Sequence, residues 1–321
     1  MRRATVRCMI EAHALTKDYG PKRAVDDLSF TVRPGIVTGF LGPNGSGKST
    51  TMRLILGLDA VSSGTVTVNG KRYRDHLAPL HEVGALLEAR SVHTGRSAFN
   101  HLLALAQTHG IGKKRVQELI DLVGLHEVAR SRAGKFSLGM GQRLGIATAL
   151  LGDPSTLLLD EPVNGLDPEG IHWIRNLLKS LAAEGRTIFV SSHLMAEMAL
   201  TADQLIVIGR GRLIADTSVE DFVRRASGNV VRVRAPEATR LRELLLGENV
   251  SVASPEAGVL EITGVTAERV GETAAANSIV LHELMPLQAS LEEAFMELTQ
   301  DDVEYKAGSP SAGGDSEELA A

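Results

Sequence analysis

The stretch that decides the fold is GPNGSGKST, from Gly42 to Thr50. It matches the pattern G-x-x-x-x-G-K-[ST] at every position, with a β-rich run (GIVTGFLG) before it and a helical run (STTMRLILGL) after it. In this pattern backbone N–H groups wrap phosphate oxygens, the lysine lies between the β and γ phosphates, and the hydroxyl that follows binds Mg²⁺. We therefore predict a strand–loop–helix unit that binds a nucleotide through Gly42, Pro43, Asn44, Gly45, Ser46, Gly47, Lys48, Ser49 and Thr50.

Two further polar groups follow apolar runs that are typical of buried strands. STLLLDEP ends in Asp160 and Glu161, and TIFVSSH ends in His193. Ligands of parallel sheets bind at the carboxyl ends of the strands, so these side chains are expected beside the phosphate loop. We assign Asp160 to Mg²⁺, through water, and Glu161 to polarising the attacking water. His193 is predicted to contact the γ-phosphate; a purely structural hydrogen bond is the alternative.

The pattern of elements predicts two domains and a tail. Residues 8–225 begin with strands, become helical over about 92–150, and then alternate strands with helices. Two apolar runs separated by an amphipathic helix indicate a buried parallel sheet. Residues 228–300 read β-α-β-β-α-β, the order of a ferredoxin-like α+β domain. The small, polar and acidic stretch 305–321 predicts a disordered tail.

Composition narrows the class of protein. Hydrophobic residues make up 43% and charged residues 23% of the chain, as in ordinary globular proteins. The net charge of −5 argues against a nucleic-acid partner. The single cysteine, Cys8, excludes an internal disulfide. No apolar run reaches the length of a membrane span, and the N-terminus lacks the pattern of a signal peptide, so we expect a cytoplasmic protein that reaches a membrane only through a partner.

The order of these motifs resembles the ATP-binding subunits of ABC transporters over residues 8–225. GPNGSGKST resembles the Walker A motif, and TLLLDEP resembles Walker B followed by the catalytic glutamate. NGLD, ending at Asp167, is similar to the D-loop that contacts nucleotide, and SSH carries the switch histidine. Tyr19 stands where the family places an aromatic that stacks on adenine, with a packed tyrosine at a strand end as the alternative. The resemblance implies a P-loop NTPase cassette with a mixed sheet core, an antiparallel β part and a helical subdomain.

The stretch FSLGMGQR resembles the signature motif of the same family, LSGGQ. Ser137 and Gly139 match it, whereas Leu138 and Met140 stand where the family has glycine and glutamine. In the family two subunits pair head to tail, and each signature helix closes the nucleotide site of the other. The resemblance therefore implies a homodimer in which Ser137 and Gly139 contact ATP held by the second copy.

A second departure from the family lies in GALLEARSVHTG. Glu88 stands where the family has a glutamine that contacts Mg²⁺ and senses the membrane subunit. A carboxylate can ligate Mg²⁺ directly or through water, and a solvated loop glutamate is the equal alternative. In the helical segment that follows, Val92, Phe99 and Leu103 are candidates for contact with a membrane subunit, with packing inside the subdomain as the alternative for each.

Together these features predict an ATP-hydrolysing subunit, with ATP and Mg²⁺, that powers an exporter whose permease is a separate chain. It would lie on the inner face of the cell membrane through that permease, with a drug, an antibiotic or a lipid as cargo. The C-terminal domain, ending in SLEEAFMELT, is similar to an appendage of such exporter subunits and would support dimerisation or regulation. One alternative is a stand-alone ABC-type ATPase with a soluble partner. The other, a nucleotide kinase, leaves the signature and D-loop unexplained.

Overall fold

The computed structural model describes residues 9–88, 92–226, 230–247, 250–287 and 290–299. Cys8 and the predicted tail at 305–321 lie outside these residues. The strands of the first domain are β1 (Ile10–Tyr19), β2 (Lys22–Val32), β3 (Val37–Leu41), β4 (Ser63–Val68), β5 (Val83–Leu86), β6 (Thr156–Leu159), β7 (Thr187–Ser191), β8 (Gln204–Gly209) and β9 (Arg212–Ser218). Its helices are α1 (Lys48–Ile55), α2 (Pro79–Glu82), α3 (Ala98–Thr108), α4 (Lys113–Leu122), α5 (Leu138–Ala149), α6 (Pro168–Ala183), α7 (Met195–Thr201) and α8 (Val219–Ala226).

A six-stranded sheet in the order β5-β6-β7-β3-β8-β9 forms the centre of the first domain. The first five strands in this order are parallel, and β9 runs antiparallel to β8. Every residue of β3, β6 and β7 is buried, as expected for parallel strands covered on both faces. The predicted mixed sheet with a buried parallel part is confirmed, and it brings the ends of β3, β6 and β7 to one edge.

A smaller antiparallel sheet, β2-β1-β4, packs against one face of the central sheet. Three aromatic rings join them: Phe189 of β7 lies 4.9 Å from Phe40 and 5.7 Å from Phe30 between ring centroids. Met52 and Ile55 of α1 belong to the same buried cluster. Packing of α1 between the two sheets fixes the loop that precedes it.

Helices α3, α4 and α5 form the helical subdomain. They belong to a second buried cluster of this domain, separate from the one that contains Phe189. Their apolar faces repeat at helical spacing, as in Val116, Leu119 and Ile120 of α4. Val92, Phe99 and Leu103 are half-buried against this core, so each packs inside the subdomain and leaves part of its side chain exposed.

The C-terminal domain contains β10 (Val230–Arg234), α9 (Ala238–Leu245), β11 (Ser251–Ala253), β12 (Val259–Thr263), α10 (Ala267–Ala276) and β13 (Glu283–Leu287), followed by α11 (Leu291–Thr299). Its strands form an antiparallel sheet in the order β11-β12-β10-β13, the ferredoxin-like arrangement that the order of elements predicts. Helix α11 instead packs on the first domain, because Leu291, Ala294 and Phe295 are buried in the core of that domain.

Candidate nucleotide site

The loop between β3 and α1 leaves no room for side chains at two of its glycines. Gly47 has φ 104°, and a Cβ there would lie 2.4 Å from the carbonyl oxygen of Ala24. A Cβ on Gly42 would lie 2.5 Å from the carbonyl oxygen of Ile208. Gly47 needs glycine for its backbone conformation and for this close approach, and Gly42 needs it for the close approach alone. The residues between them therefore form a tight backbone cradle at the start of α1, where N–H groups and the helix dipole favour phosphate.

The Lys48 ammonium group lies across this cradle. Its Nζ donates to the carbonyl oxygen of Gly42 at 2.6 Å and to that of Pro43 at 3.1 Å. Burial lowers the pKa of Lys48, and the nearby carboxylates of Glu161 and Asp160 act in the opposite direction. A phosphate group in the cradle would add further negative charge beside this half-buried cation.

The predicted magnesium ligands meet at the next strand. The Ser49 hydroxyl donates to Oδ2 of Asp160 at 2.8 Å, and Oδ1 of Asp160 accepts from the Ser191 hydroxyl at 2.5 Å. Hydroxyl and carboxylate oxygens suit Mg²⁺, which takes its remaining ligands from water and substrate phosphates. Within the described ranges, no group of three or more His, Cys, Asp or Glu residues could hold a metal alone. The Ser49–Asp160 pair thus fits a magnesium ion that is bound together with a nucleotide.

Glu88 lies two residues beyond the end of β5, the strand that pairs with β6. It is exposed and lines a groove of about 340 Å³ between β5 and the helical subdomain. The carboxylate of Asp160 accepts hydrogen bonds from Ser49 and Ser191. A role for Glu88 as a magnesium ligand stays a prediction.

Glu161 adopts a backbone conformation that is rare outside glycine, with φ 51°. Such a residue costs of order 1–3 kcal/mol and persists only where its surroundings hold it. Its N–H donates to the Ser191 hydroxyl at 3.0 Å, and its carbonyl oxygen accepts from Nε2 of Gln142 at 3.0 Å. Its Oε2 accepts from the N–H of His193 at 3.2 Å and lies 2.7 Å from His193 Nδ1. The site therefore presents the carboxylate of Glu161 in contact with the imidazole.

Tyr19 lies at the end of β1, and its hydroxyl is held in place. The hydroxyl donates to Oδ2 of Asp59 at 2.8 Å, and Arg53 Nε donates to the same oxygen at 2.7 Å. The Arg53 guanidinium, and then the Tyr19 hydroxyl, lower the pKa of Asp59 to about 2. Lys17 Nζ lies 4.7 Å from the centroid of the tyrosine ring, which is 46% exposed. The ring is thus anchored at its edge and available to a planar ligand.

The signature segment packs on the D-loop of its own chain. Ser137 caps α5 by accepting from the N–H of Met140 at 3.2 Å. A Cβ on Gly139 would lie 2.6 Å from the carbonyl oxygen of Gly165, and one on Gly165 would lie 2.4 Å from Leu138 Cγ. Within one chain, Leu138 and Gly139 therefore contact the D-loop, and Ser137 caps α5.

Asp167, expected to contact nucleotide, is a helix cap in the structure. Its Oδ1 accepts from the N–H of Gly170 at 3.0 Å, at the start of α6. The structure brings Asp160, Glu161 and His193, which follow strand ends, together with Ser49 and Lys48 of the phosphate loop. Sequence reasoning missed the residues that hold the site: Ser191 and Gln142, which bond to Asp160 or Glu161, and Asp59 and Arg53, which fix the Tyr19 hydroxyl. Ser191 lies at the end of a predicted strand, which was a usable signal, whereas nothing local marks Asp59.

Comparisons with known proteins agree with this geometry. The family described as "ABC transporter" matches residues 25–164. The chain is 35% identical over 300 residues to the uncharacterized ABC transporter ATP-binding protein YhcH of Bacillus subtilis, covering 92% of this chain and 97% of that protein. The chain belongs to the ATP-binding proteins of ABC transporters. The predicted family, the P-loop cassette fold and the ATPase class are thereby confirmed.

Two further comparisons describe this ABC protein. It is 41% identical over 220 residues to the bacitracin transport ATP-binding protein BcrA of Bacillus licheniformis, covering 68% of this chain and 72% of that protein. A solved structure of an ATP-binding subunit of an ABC transporter superposes with a TM-score of 0.62 and 28% identity, covering 68% of this chain and 92% of the other. Residues 229–292 match a domain of unknown function. In the part of the chain that is described, no helix is long and apolar enough to cross a membrane.

Proposed function

We propose that this ABC ATPase powers an exporter by binding ATP and Mg²⁺ between two copies of the chain and hydrolysing it there. The observation that supports this best is the set of bonds that links Ser49 to Asp160 and His193 to Glu161 at one sheet edge. Lys48 and the loop amides would bind the β and γ phosphates, and Ser49 with Asp160 would hold Mg²⁺. The metal, when bound, neutralises charge on the phosphates.

In the proposed reaction Glu161 orients the attacking water and accepts its proton. Its carboxylate is half-buried and faces the imidazole of His193 at 2.7 Å, so the two side chains can share that proton. The His193 contact seen here is with Glu161, and its predicted contact with the γ-phosphate requires bound ATP.

The pairing of two copies is supported by the start of α5. The first N–H groups of a helix point out of its N-terminus and suit an anion, and Leu138, the first residue of α5, is 47% exposed. The phosphate loop of the same chain lies between β3 and α1, so α5 is not part of that loop. A head-to-tail dimer would bring the second copy's α5 to the open side of the nucleotide.

Glu161→Gln tests the proposed dimer. Without the carboxylate, ATP would be bound but hydrolysed slowly, so Mg-ATP should convert the variant from monomer to a stable dimer in size-exclusion chromatography with light scattering. Glu169→Gln, the same change at an exposed position of α6, should behave as the parent. A Glu161→Gln protein that binds ATP and stays monomeric would contradict the proposal.

We propose that a separate permease docks in the groove that Glu88 lines. The groove is also lined by Leu56, Leu58 and Val92, and Leu58 is 55% exposed. Such apolar lining suits a short amphipathic helix of a membrane protein. Leu58→Glu should abolish co-purification of the permease and leave ATP binding intact, whereas Leu122→Glu, at an exposed position of α4, should leave both unchanged. A pull-down that recovers a soluble partner and no membrane protein would count against transport.

The proposed cargo is an antibiotic, with drugs and lipids as the other classes to test. The relative BcrA is named for bacitracin transport, which supports this choice. Expression of the chain with its permease in a sensitive host should raise resistance to the cargo, and Glu161→Gln should abolish the increase. Equal resistance with parent and variant would refute ATP-driven export.

A further inference from the structure

We propose that Gln142 is a positioning residue for Glu161, fixing the main chain of the proposed base from the signature helix. The inference rests on the proposed function of Glu161. Gln142 lies in α5, five residues after Ser137, and is 2% exposed. Its side chain reaches out of its own helix to the segment that follows β6.

The side-chain amide of Gln142 is the donor and the main chain of Glu161 is the acceptor. Nε2 of Gln142 donates to the carbonyl oxygen of Glu161 at 3.0 Å, and the N–H of Asn164 donates to the same oxygen at 3.2 Å. On the other side of the residue, the N–H of Glu161 donates to the Ser191 hydroxyl. Both peptide groups of Glu161 are therefore held, one from α5 and the other from β7.

This restraint matters because Glu161 is in the left-handed region, with φ 51°. A non-glycine residue leaves that conformation when its surroundings release it. Rotation about φ would swing the carboxylate away from His193, whose Nδ1 lies 2.7 Å from Oε2. Loss of the amide of Gln142 should thus misplace the carboxylate while the phosphate loop stays intact.

The position of Gln142 also connects two nucleotide sites. The start of its helix would bind ATP held by the second copy, whereas its amide holds the glutamate that acts on ATP in its own chain. Movement of α5 when the dimer closes would be passed to Glu161 through one hydrogen bond. Gln142 would in this way make hydrolysis in one site respond to occupancy of the other.

The test measures ATP hydrolysis and ATP binding separately. Gln142→Met keeps the size of the side chain and removes the donor. We expect kcat to fall about ten- to a hundredfold, in line with the cost of misplacing a reacting group by about 1 Å. The dissociation constant for ATP should stay within about twofold. Gln117→Met on α4, an exposed glutamine that bonds only to Asp121 within its own helix, is the matched control and should keep parent kcat.

Gln142→Asn retains the amide on a side chain shorter by one carbon–carbon bond, so it should give an intermediate loss and remains informative if Gln142→Met does not fold. Single-turnover hydrolysis should show that Gln142→Met adds no further loss to Glu161→Gln, because both act through one carboxylate. Parent-like kcat in Gln142→Met, a parallel loss of ATP affinity, or losses that multiply in the double variant would overturn the inference. Full turnover in Glu161→Gln would instead refute the proposed role of Glu161.

Discussion

Tyr19→Phe removes one hydroxyl and keeps the aromatic ring that is proposed to stack on adenine. The lost hydrogen bond, from the Tyr19 hydroxyl to Oδ2 of Asp59 at 2.8 Å, has a charged acceptor. Such bonds contribute about 1.5–3 kcal/mol when shielded from water. The ring is 46% exposed, so solvent screening reduces the contribution to about 0.5–1 kcal/mol. Without this hydrogen bond the ring at position 19 would no longer be held in place, and ATP would have to order it on binding. The dissociation constant for ATP should therefore rise about two- to fivefold.

Titration with a fluorescent ATP analogue and calorimetry with ATP would both measure this change. Saturating ATP should restore parent kcat, because Ser49, Asp160 and Glu161 are untouched. Tyr73→Phe makes the same chemical change in the segment between β4 and α2 and should leave ATP affinity unchanged. Tyr19→Ala should weaken binding further, since loss of stacking on a base costs about 1–3 kcal/mol.

Substitution of Asp59 tests whether Tyr19→Phe acts through the hydrogen bond between these two side chains. Asp59→Ala should weaken ATP binding by the same factor as Tyr19→Phe, and the double variant should show no additional loss. Losses that multiply would mean that Asp59 affects ATP through Arg53 and α1. Unchanged affinity in both Tyr19→Phe and Tyr19→Ala would refute adenine stacking on this ring.

Three further outcomes are expected. Lys48→Ala should remove most ATPase activity measured by phosphate release, and unchanged turnover would overturn the site assignment. Phe189→Ala, at a fully buried ring, should lower the free energy of unfolding by about 3–5 kcal/mol in urea titrations followed by the single tryptophan, Trp173; a loss below about 1 kcal/mol would contradict the aromatic core. Gly165→Ala should lower ATPase activity, because φ is +74° and the new Cβ would strike Leu138, and Leu138→Gly should partly restore it; no restoration would refute this clash.

The parts of the fold that follow from local pattern were predictable from the sequence. The phosphate loop depends on glycines within one short stretch, so its residues and its strand–loop–helix setting could be recognised directly. Asp160, Glu161 and His193 follow strands whose apolar runs are unmistakable, and parallel strands bring their ends to one edge. The ferredoxin-like sheet order followed from the order of its elements.

The residues that hold the site could not be predicted in the same way. Asp59 reaches Tyr19 across 40 positions of sequence, and Gln142 reaches Glu161 across 19. Such contacts depend on how the subdomain packs on the sheet, which no periodicity encodes. The alternative role for Asp167 was visible locally, since Asp followed by Pro is a common start of a helix.

The start of α5 explains how the chain tolerates leucine where the family has a signature glycine. The side chain of Leu138 lies against Gly165 of the D-loop. Because Gly165 has no side chain, there is room for the leucine. Gly139, which the family also requires, keeps the close approach to the carbonyl oxygen of Gly165. Farther along α5, Arg143 stacks on Trp173 of α6, 4.9 Å from the ring centroid. Because these contacts lie inside one chain, a signature helix displaced by a partner's ATP in the proposed dimer would also move its own D-loop, and Leu138 is one of the side chains through which the two segments touch.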